Sequence, residues 1–228
     1  MQSQIRCIAF DAVGTLIYPD PPVAEVYARV GRKYGATHSE SEVRERFLEA
    51  FRIEYENLAT TSESDERQRW RRIVHRVFEL EDGEACFEEL FHHFGQANSW
   101  RCFPEVEETL QTLATRGQEL VLASNFDRRL HAICEGHPPL RVFETRIISS
   151  EVGSFKPHAG FYNALLEKTK FASHEVLMVG DDWENDVLGA AEMGLQTVFL
   201  NRKSEPPISN VKNIVTISSL AELTGLLT

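Results

Sequence analysis

Six residues in four separate segments are of types that carry out group-transfer chemistry. In chain order they are Asp11, Ser124, Lys156, Asp181, Asp182 and Asp186. Taken singly, an aspartate or serine at such a place commonly caps a helix, and a lysine is commonly a solvated charge. Asp11 and Ser124, however, each directly follow an apolar run. Carboxylates gathered at one place repel each other unless a cation compensates them, so the set predicts a site that handles an anionic group such as phosphate.

The chemistry that suits this set is metal-assisted phosphoryl transfer. An aspartate carboxylate is an established covalent nucleophile, and the end of a strand exposes it. Mg²⁺ prefers carboxylate and carbonyl oxygens, so Asp11, Asp181 and Asp186 suit it as ligands. The Ser124 hydroxyl, the Lys156 ammonium and the turn amides after Asp11 can hold phosphoryl oxygens. We expect Mg²⁺ as the cofactor and a small phosphorylated or otherwise anionic metabolite as the partner.

The elements that must position these residues are short apolar strands alternating with helices. Predicted strands cover residues 5–10, 119–123, 145–149, 176–179, 197–200 and 214–217, and predicted helices cover residues 104–116, 159–168 and 185–193, with further helices from about 128 and 218. This alternation is typical of a parallel sheet covered on both faces. The carboxyl ends of its strands gather along one edge, so the site should lie there.

The stretch from Pro21 to about Trp100 has a different texture, because its apolar residues recur only at helical spacing. Two short segments of polar and turn-forming residues separate predicted helices, Ser62 to Asp65 and Asp82-Gly83. The stretch predicts a bundle of four helices inserted after the first strand. Four aromatic residues at helical spacing are expected to pack inside it: Trp70, Phe78, Phe87 and Phe91.

Composition excludes several classes of protein. The 228 residues include 24 Lys plus Arg against 35 Asp plus Glu, a formal charge of −11, which disfavours nucleic acid and anionic membranes as partners. No apolar run is long enough to span a membrane. The four cysteines lack a C-x-x-C pair and the N-terminus lacks a signal-peptide pattern, so we expect reduced thiols and a cytoplasmic location.

The order of the segments resembles that of the haloacid dehalogenase superfamily. The matching segments are Asp11-x-Val-Gly-Thr15, Ser124-Asn125, Lys156-Pro157 and Gly180-Asp-Asp-x-x-x-Asp186, and the run from Ser124 to Leu130 further resembles one branch of the superfamily. The resemblance spans nearly the whole chain. It implies an α/β fold, a Rossmann-like doubly wound parallel sheet with an inserted α-helical cap domain. The core domain would comprise residues 1–17 and 99–228, and the helical cap domain residues 18–98.

The resemblance also implies roles for individual residues. The catalytic residues would be Asp11 as the nucleophile, Ser124 and Lys156. Phosphate would be held by Gly14, Thr15, Ser124, Asn125 and Lys156, and Mg²⁺ by Asp11, the Val13 carbonyl, Asp181 and Asp186. Asp186 would support either the metal or Lys156, and Asp182 is a weaker candidate.

One departure from the superfamily pattern concerns Val13. Phosphatases of the superfamily carry a second aspartate two residues after the nucleophile, and this residue transfers protons to the leaving group and from water. A valine cannot transfer protons, and general acid and base catalysis contributes about 10² to 10⁴ in rate. We therefore expect a weakened phosphatase, unless Asp20, Glu184 or a cap residue substitutes.

Three alternatives remain open at the level of sequence. A metal-independent 2-haloacid dehalogenase needs no leaving-group proton, and Arg44 or Arg46 would then receive the halide. A phosphonate-cleaving enzyme would use Lys33 as a Schiff base. A binding or regulatory module would have lost catalysis at Val13. Tyr18, Phe126 and Trp183 follow motif residues and are expected either to line the substrate cavity or to pack.

Overall fold

A computed structural model describes residues 5–56, 58–202 and 214–227. The strands are β1 (Cys7–Phe10), β2 (Ile17–Pro19), β3 (Trp100–Cys102), β4 (Glu119–Ser124), β5 (Thr145–Ile148), β6 (Val176–Gly180), β7 (Gln196–Leu200) and β8 (Val215–Ile217). The helices are α1 (Val23–Lys33), α2 (Glu40–Tyr55), α3 (Glu63–Val77), α4 (Gly83–His93), α5 (Val106–Thr115), α6 (Arg129–Gly136), α7 (Ser149–Val152), α8 (Ala159–Thr169), α9 (Gly189–Glu192) and α10 (Leu223–Leu226).

Six strands form one parallel sheet in the order β5-β4-β1-β6-β7-β8. The strand order reverses beside β1, which lies between β4 and β6. Open α/β sheets bind ligands outside the carboxyl ends of the strands at such a switch point. Asp11 follows β1 directly and therefore lies at this point. The chain has the predicted α/β, Rossmann-like doubly wound fold.

Strand β1 is buried on both faces, because its alternating side chains join two separate apolar clusters. Ile8 and Phe10 pack on one face of the sheet, whereas Cys7 and Ala9 pack on the other. All four residues are fully buried, which is why the strand is a continuous apolar run rather than an alternating one. This burial fixes the strand end that carries Asp11.

Four helices, α1 to α4, lie between β2 and β3 and form the helical insertion (residues 20–99). It has its own apolar core, which includes Phe78 and Phe87, with Trp70 and Phe91 packed against it at partial burial. Helix α2 begins with a capping box, in which Ser39 accepts from Glu42 N and Glu42 accepts from Ser39 N. The predicted four-helix bundle is confirmed.

The segments that enter and leave the helical insertion are not simple linkers. Strands β2 and β3 pair antiparallel, so Tyr18 lies opposite Arg101. The predicted start of the insertion at residue 18 therefore lies inside β2, whereas its predicted end at residue 98 lies in a 3₁₀ turn just before β3. Sequence periodicity missed this two-stranded ribbon because each strand has only three residues.

A third attachment joins the helical insertion to the sheet domain through residues 58–61, between α2 and α3. Thr60 forms a β-bridge with Ser154, and Phe155 N donates to Ala59 O at 3.1 Å. Thr61 N donates to Gly153 O at 3.3 Å. The segment that precedes Lys156 is thus bound directly by the insertion.

Most predicted elements appear within a few residues of their expected bounds, and the clearest difference lies after β6. The predicted helix over residues 185–193 begins earlier, as a π-helical turn over Trp183–Leu188, and continues as α9. Asp182 caps this turn, since its carboxylate accepts from the backbone N–H groups of Glu184 and Asn185. The four cysteines form no disulfide. No helix among the described residues is long and apolar enough to cross a membrane.

Candidate active site

The ends of β1 and β4 bring Asp11 and Ser124 together. Phe10 pairs with Leu122, so the two strands end nearly level. The Ser124 hydroxyl donates to Asp11 Oδ1 at 3.2 Å. Asp11 is 8% exposed and Ser124 2%, so a ligand would reach a carboxylate held in a largely enclosed position.

Lys156 lies in the loop before α8 and is the central cation of the site. Its ammonium donates to Asp11 Oδ1 at 2.7 Å, to Asp186 Oδ1 at 2.6 Å and to Ala123 O at 2.9 Å. An ammonium has three N–H donors, so all of them are engaged. Lys156 therefore neutralises and orients Asp11, and it would bind a phosphoryl oxygen only by exchanging one of these partners.

Asp181 follows β6 and approaches the same point from the other side of β1. The Thr15 hydroxyl donates to Asp181 Oδ1 at 3.2 Å. Gly14 adopts φ +91°, and a Cβ there would overlap the Asp181 carboxylate. Glycine at residue 14 is thus required both by the backbone and by the close approach of this carboxylate.

Asp11, Asp181 and Asp186 place one oxygen each within 4.8 Å of one another. Three carboxylates against the single Lys156 ammonium leave an excess of negative charge, and hard oxygen donors are what Mg²⁺ prefers. Asp186 is the least free of the three, because Oδ1 accepts from Lys156 and Oδ2 accepts from Asp182 N at 3.1 Å. The donor set fits Mg²⁺ best with Asp11 and Asp181 as direct ligands and Asp186 holding Lys156.

The pKa values of the site follow from burial and crowding. Desolvation, and after it the neighbouring Asp11 carboxylate, raise the pKa of Asp181 to about 7, although Thr15 and Lys156 oppose that change. Desolvation also raises the pKa of Asp186, although Lys156 opposes that change. For Lys156, burial lowers the pKa, but the Asp11 and Asp186 carboxylates outweigh it and the net pKa is raised. Lys156 therefore stays protonated and positively charged. Its single charge does not balance the negative charges of the three neighbouring carboxylates.

Asn125 is a predicted phosphate-binding residue whose side chain already has partners. Its Nδ2 donates to Lys156 O at 3.0 Å, and its Oδ1 accepts from Lys156 N at 2.8 Å. This pair of bonds fixes the backbone that carries Lys156 beside β4. The structure places Asn125 as a residue that positions Lys156.

A cavity of about 730 Å³ opens onto these residues between the sheet edge and the helical insertion. Its wall includes Asp11, Ser124, Lys156 and Asp181 together with Val13. Among the predicted substitutes for a missing acid, Glu184 lines this cavity, whereas Asp20 is bonded to Arg101 on the ribbon. The helical insertion contributes two acidic residues, Glu56 and Glu66, to the wall of this cavity.

Glu66 belongs to a buried polar network that sequence analysis missed. It is 2% exposed and accepts from Tyr55, Thr61 and Arg69. Desolvation raises its pKa. In the sequence Glu66 lies in a run of charged helix residues that resembles a solvated face, so no signal marked it as buried.

Arg202 is a second residue that sequence analysis missed. It follows β7 and donates from Nε to Gly14 O at 3.0 Å and from Nη2 to Thr15 O at 2.7 Å. Its Nη1 donates to Glu105 at 2.6 Å. Arg202 therefore fixes the turn that follows Asp11. Its position just beyond a predicted strand end was a signal that could have found it.

The residues that the alternatives require lie elsewhere. Arg44 is exposed, and Arg46 donates to Val77 O at 2.7 Å within the helical insertion. Lys33 is exposed and paired with Glu89. Neither Arg44, Arg46 nor Lys33 is among the described residues that line the 730 Å³ cavity.

The three aromatic residues that follow motif residues divide between the two expected roles. Phe126 lines the cavity. Tyr18 packs on Phe103 with ring centroids 4.8 Å apart, and Trp183 packs on Phe199 at 5.2 Å.

Comparison with known proteins decides the family. The sequence matches the model of the haloacid dehalogenase-like hydrolases over residues 5–194. The chain belongs to this family. A mouse relative, haloacid dehalogenase-like hydrolase domain-containing protein 3, is 30% identical over 221 residues, which cover 93% of this chain and 88% of the mouse protein.

The solved structures with a similar fold include proteins named as phosphatases and proteins named as dehalogenases. An HAD phosphatase from Thermococcus onnurineus superposes with a TM-score of 0.72 at 24% identity and covers 97% of both chains. The L-2-haloacid dehalogenase from Xanthobacter autotrophicus superposes with a TM-score of 0.73 at 19% identity and covers 98% of both chains. The fold of this hydrolase-family chain is therefore shared by phosphatases and dehalogenases, and the site has to distinguish them.

Proposed function

We propose that this chain is a Mg²⁺-dependent phosphatase that works slowly through an aspartyl-phosphate, with the helical insertion as its cap. The observation that supports it most strongly is that Asp11, Asp181 and Asp186 crowd together, with Lys156 bonded to only the first and the last of them. Such an arrangement suits a divalent cation and a phosphoryl dianion together, because each offsets the other's charge.

The charge of the cavity favours phosphoryl transfer over dehalogenation. Eight carboxylates and one lysine line the 730 Å³ cavity: Asp11, Glu56, Glu66, Asp127, Asp181, Asp182, Glu184, Asp186 and Lys156. Three of the carboxylates are paired with arginines: Asp127 with Arg129, Glu66 with Arg69 and Glu56 with Arg52. A haloacid anion that enters without a metal would meet net repulsion.

The residues of the chain would divide the work as follows. Asp11 attacks phosphorus, and Lys156 holds its carboxylate in place through Oδ1. The Ser124 hydroxyl turns from Asp11 to a phosphoryl oxygen, and the Thr15 amide binds another. The Gly14 amide already donates to Ile17 O at 2.8 Å, so it would bind phosphate only by giving up that bond. Mg²⁺, held by Asp11, Asp181 and the Val13 carbonyl, would offset the repulsion between the nucleophile and the phosphoryl dianion.

Val13 limits this activity. Its side chain is 36% exposed and lines the cavity, so an apolar group lies where a proton carrier would be useful. Leaving groups that depart as stable anions need no proton, and they should be hydrolysed fastest. The same observation favours a second candidate function, a binding module that retains phosphate and metal affinity without turnover. The four unpaired cysteines agree with a reducing cytoplasm for either function.

The test is turnover of acetyl phosphate with and without Mg²⁺ by the wild type, Asp11→Asn and Asp181→Ala. We expect turnover to require Mg²⁺ and to fall by about 10⁴-fold or more in Asp11→Asn. Calorimetry should show weaker Mg²⁺ binding in Asp181→Ala. The matched control is Asp20→Asn, which should stay within about twofold of the wild type because Asp20 is bonded to Arg101 on the ribbon. Equal turnover by Asp11→Asn would rule out the proposed nucleophile, and Mg²⁺ binding without turnover would favour the binding module.

A further inference from the structure

A second cavity of about 260 Å³ adjoins the first, between the helical insertion and the sheet domain. We refer to it as the apolar chamber, and its wall includes Val13, Val23, Phe47, Trp70, Phe94 and Phe126. Five residues line both cavities: Val13, Phe51, Trp70, Asn125 and Phe126. The chamber is therefore continuous with the space in front of Asp11.

Arg129, Trp100 and Asn125 of the chamber wall already have hydrogen-bond partners, whereas the Tyr27 hydroxyl and Trp70 Nε1 have none among the described residues. Arg129 donates to both oxygens of Asp127, and its Nη1 donates to Phe91 O at 2.8 Å. Trp100 Nε1 donates to Phe94 O at 3.1 Å, and Asn125 is bonded to the backbone of Lys156. Only the Tyr27 hydroxyl and Trp70 Nε1 would then be left to bond a sugar or a carboxylate in the chamber, so most of that ligand's hydrogen bonds to water would be lost without replacement.

The size and surface of the chamber suit an aromatic ring. An apolar cavity of roughly 150 Å³ admits benzene, so 260 Å³ exceeds the space that a single ring requires. Rings of the wall, such as Phe47, Trp70 and Phe94, offer edge and face contacts to another ring. The position of Val13 at the junction adds a chemical reason, since an aryloxide departs without a proton whereas an alkoxide does not.

We infer that the substrates are aryl phosphates, whose ring occupies the apolar chamber while the phosphoryl group meets Asp11. This inference rests on the proposed phosphatase function and adds the substrate class. In the first step Asp11 Oδ bonds to phosphorus, the bond from phosphorus to the aryl oxygen breaks, and the electron pair leaves with the aryloxide. In the second step water bonds to phosphorus and the bond to Asp11 breaks. One water proton ends on the aryloxide, and the products are the phenol and inorganic phosphate.

The test compares kcat/KM for 2-naphthyl phosphate, phenyl phosphate and acetyl phosphate in the presence of Mg²⁺. The two phenols are of similar acidity, so their ratio reports the apolar contact rather than leaving-group chemistry. An added apolar group in a matching pocket gives about 10-fold or more. We expect 2-naphthyl phosphate to exceed phenyl phosphate by that factor. Calorimetry should show 2-naphthol binding to the protein without any turnover.

Two variants change the volume of the chamber in opposite directions. Val23→Phe should lower the ratio of kcat/KM for 2-naphthyl phosphate to that for acetyl phosphate by about 10-fold and weaken 2-naphthol binding equally. Phe47→Leu enlarges the chamber and should raise the preference for 2-naphthyl over phenyl phosphate. The control is Leu48→Phe, which adds a ring at a residue that is 58% exposed and should leave both ratios unchanged.

The outcomes separate this inference from the proposed function. Asp11-dependent turnover of acetyl phosphate with equal kcat/KM for the two aryl phosphates and no 2-naphthol binding would overturn the chamber and leave the phosphatase standing. A Leu48→Phe effect as large as that of Val23→Phe would also overturn it. Failure to hydrolyse all three compounds would overturn the phosphatase and, with it, the assignment of aryl phosphates to the chamber.

Discussion

The sheet edge and the helical insertion face each other across the same cavity, yet they are built in opposite ways. At the sheet edge, buried charges are held by strong hydrogen bonds, as Lys156 is by Asp11, Asp186 and Ala123 O. On the insertion side, the chamber wall consists mainly of aromatic and aliphatic side chains. Charged hydrogen bonds fix positions to a fraction of an ångström, whereas apolar contacts depend on volume and are not directional. The edge is therefore suited to one reaction, and the insertion to choosing which molecule undergoes it.

Val13 is where the two regions meet, because it belongs to the nucleophile turn and lines both cavities. An aspartate there would extend the charged edge into the cavity, whereas valine extends the apolar wall towards Asp11. Changing this one side chain is the most direct way to shift the division between the regions.

We expect the substitution Val13→Asp to have the largest effect on the rate of phosphate hydrolysis, because aspartate can carry a proton and valine cannot. Hydrolysis of alkyl phosphates should rise by a part of the factor of about 10² to 10⁴ that general acid and base catalysis contributes. For aryl phosphates the rate of phosphoryl transfer to Asp11 should rise less, because the aryloxide leaves without a proton. Rapid-quench kinetics provides the measurement, because the wild type should show a burst of phenol release followed by slow hydrolysis of the aspartyl-phosphate.

The control for this prediction is Val13→Asn, which has a similar size and polarity to aspartate but cannot carry a proton. If the aspartate and asparagine variants behaved alike towards every phosphate while staying folded and binding Mg²⁺, the site would lack more than an acid. That result would favour the binding module.

Strand ends explain why so much of the site was predictable from the sequence. Parallel strands buried on both faces are continuous apolar runs, and the polar residue after each run must lie at one edge. This argument placed Asp11, Ser124 and Asp181 correctly relative to the sheet. For Lys156 the strand-end argument is wrong, because β5 ends at Ile148 and Lys156 lies in the loop that precedes α8.

What sequence could not show depends on contacts between distant segments. The β-bridge from Thr60 to Ser154 joins residues 94 positions apart, and neither segment has strand periodicity. The buried Glu66 and Arg69 pair occupies a helix whose charges look solvated. The apolar chamber is lined by helices α1 to α4 and α6, by the β2–β3 ribbon and by the turns after β1 and β4, so no local pattern describes its volume. Packing of the insertion on the sheet edge determines all three features.

The next largest effect concerns the stability of the charged edge. Lys156→Met leaves Asp11 and Asp186 buried without their cation, and breaking a buried pair costs about 3 to 5 kcal/mol in the free energy of unfolding. Denaturant unfolding at pH 7 without Mg²⁺ measures it. The control Lys168→Met removes an exposed lysine on α8 and should stay within about 0.5 kcal/mol.

The penalty in Lys156→Met should shrink as the pH falls. Desolvation raises the pKa of Asp186 in the folded protein, so the folded state binds more protons than the unfolded state between the ordinary carboxyl range and that raised pKa. Stability from this group therefore falls as the pH rises through that interval. Acid protonates Asp186 and removes one unpaired charge. A penalty that is equal at pH 4 and pH 7 would contradict the buried charge as its cause.

The smallest expected effect lies at the contact between the two regions, at Glu63. Its carboxylate accepts from Arg128 N at 2.9 Å and from the Ser150 hydroxyl, so the first turn of α3 is bonded to the sheet domain. A cap over a site must open for ligands to exchange, and several attachments resist that motion, among them the β2–β3 ribbon, the 58–61 segment, the bond from Arg129 to Phe91 O and Glu63. Glu63→Gln weakens only the last of these. Since a partly exposed pair contributes about 0.2 to 1 kcal/mol, local opening should become roughly twofold to fivefold more frequent.

Hydrogen exchange measures this opening residue by residue. The amides of Thr61 and Phe155, which bond across the contact, should exchange faster in Glu63→Gln, whereas the amides of β1 should not change. The matched control is Glu49→Gln on α2, where Glu49 pairs only with Arg52 of the same helix. If the β1 amides accelerated as much as Thr61 and Phe155, the helical insertion and the sheet would open as one unit. The division between a rigid charged edge and a movable apolar wall would then be wrong, because the insertion could not admit a ligand without unfolding the site that acts on it.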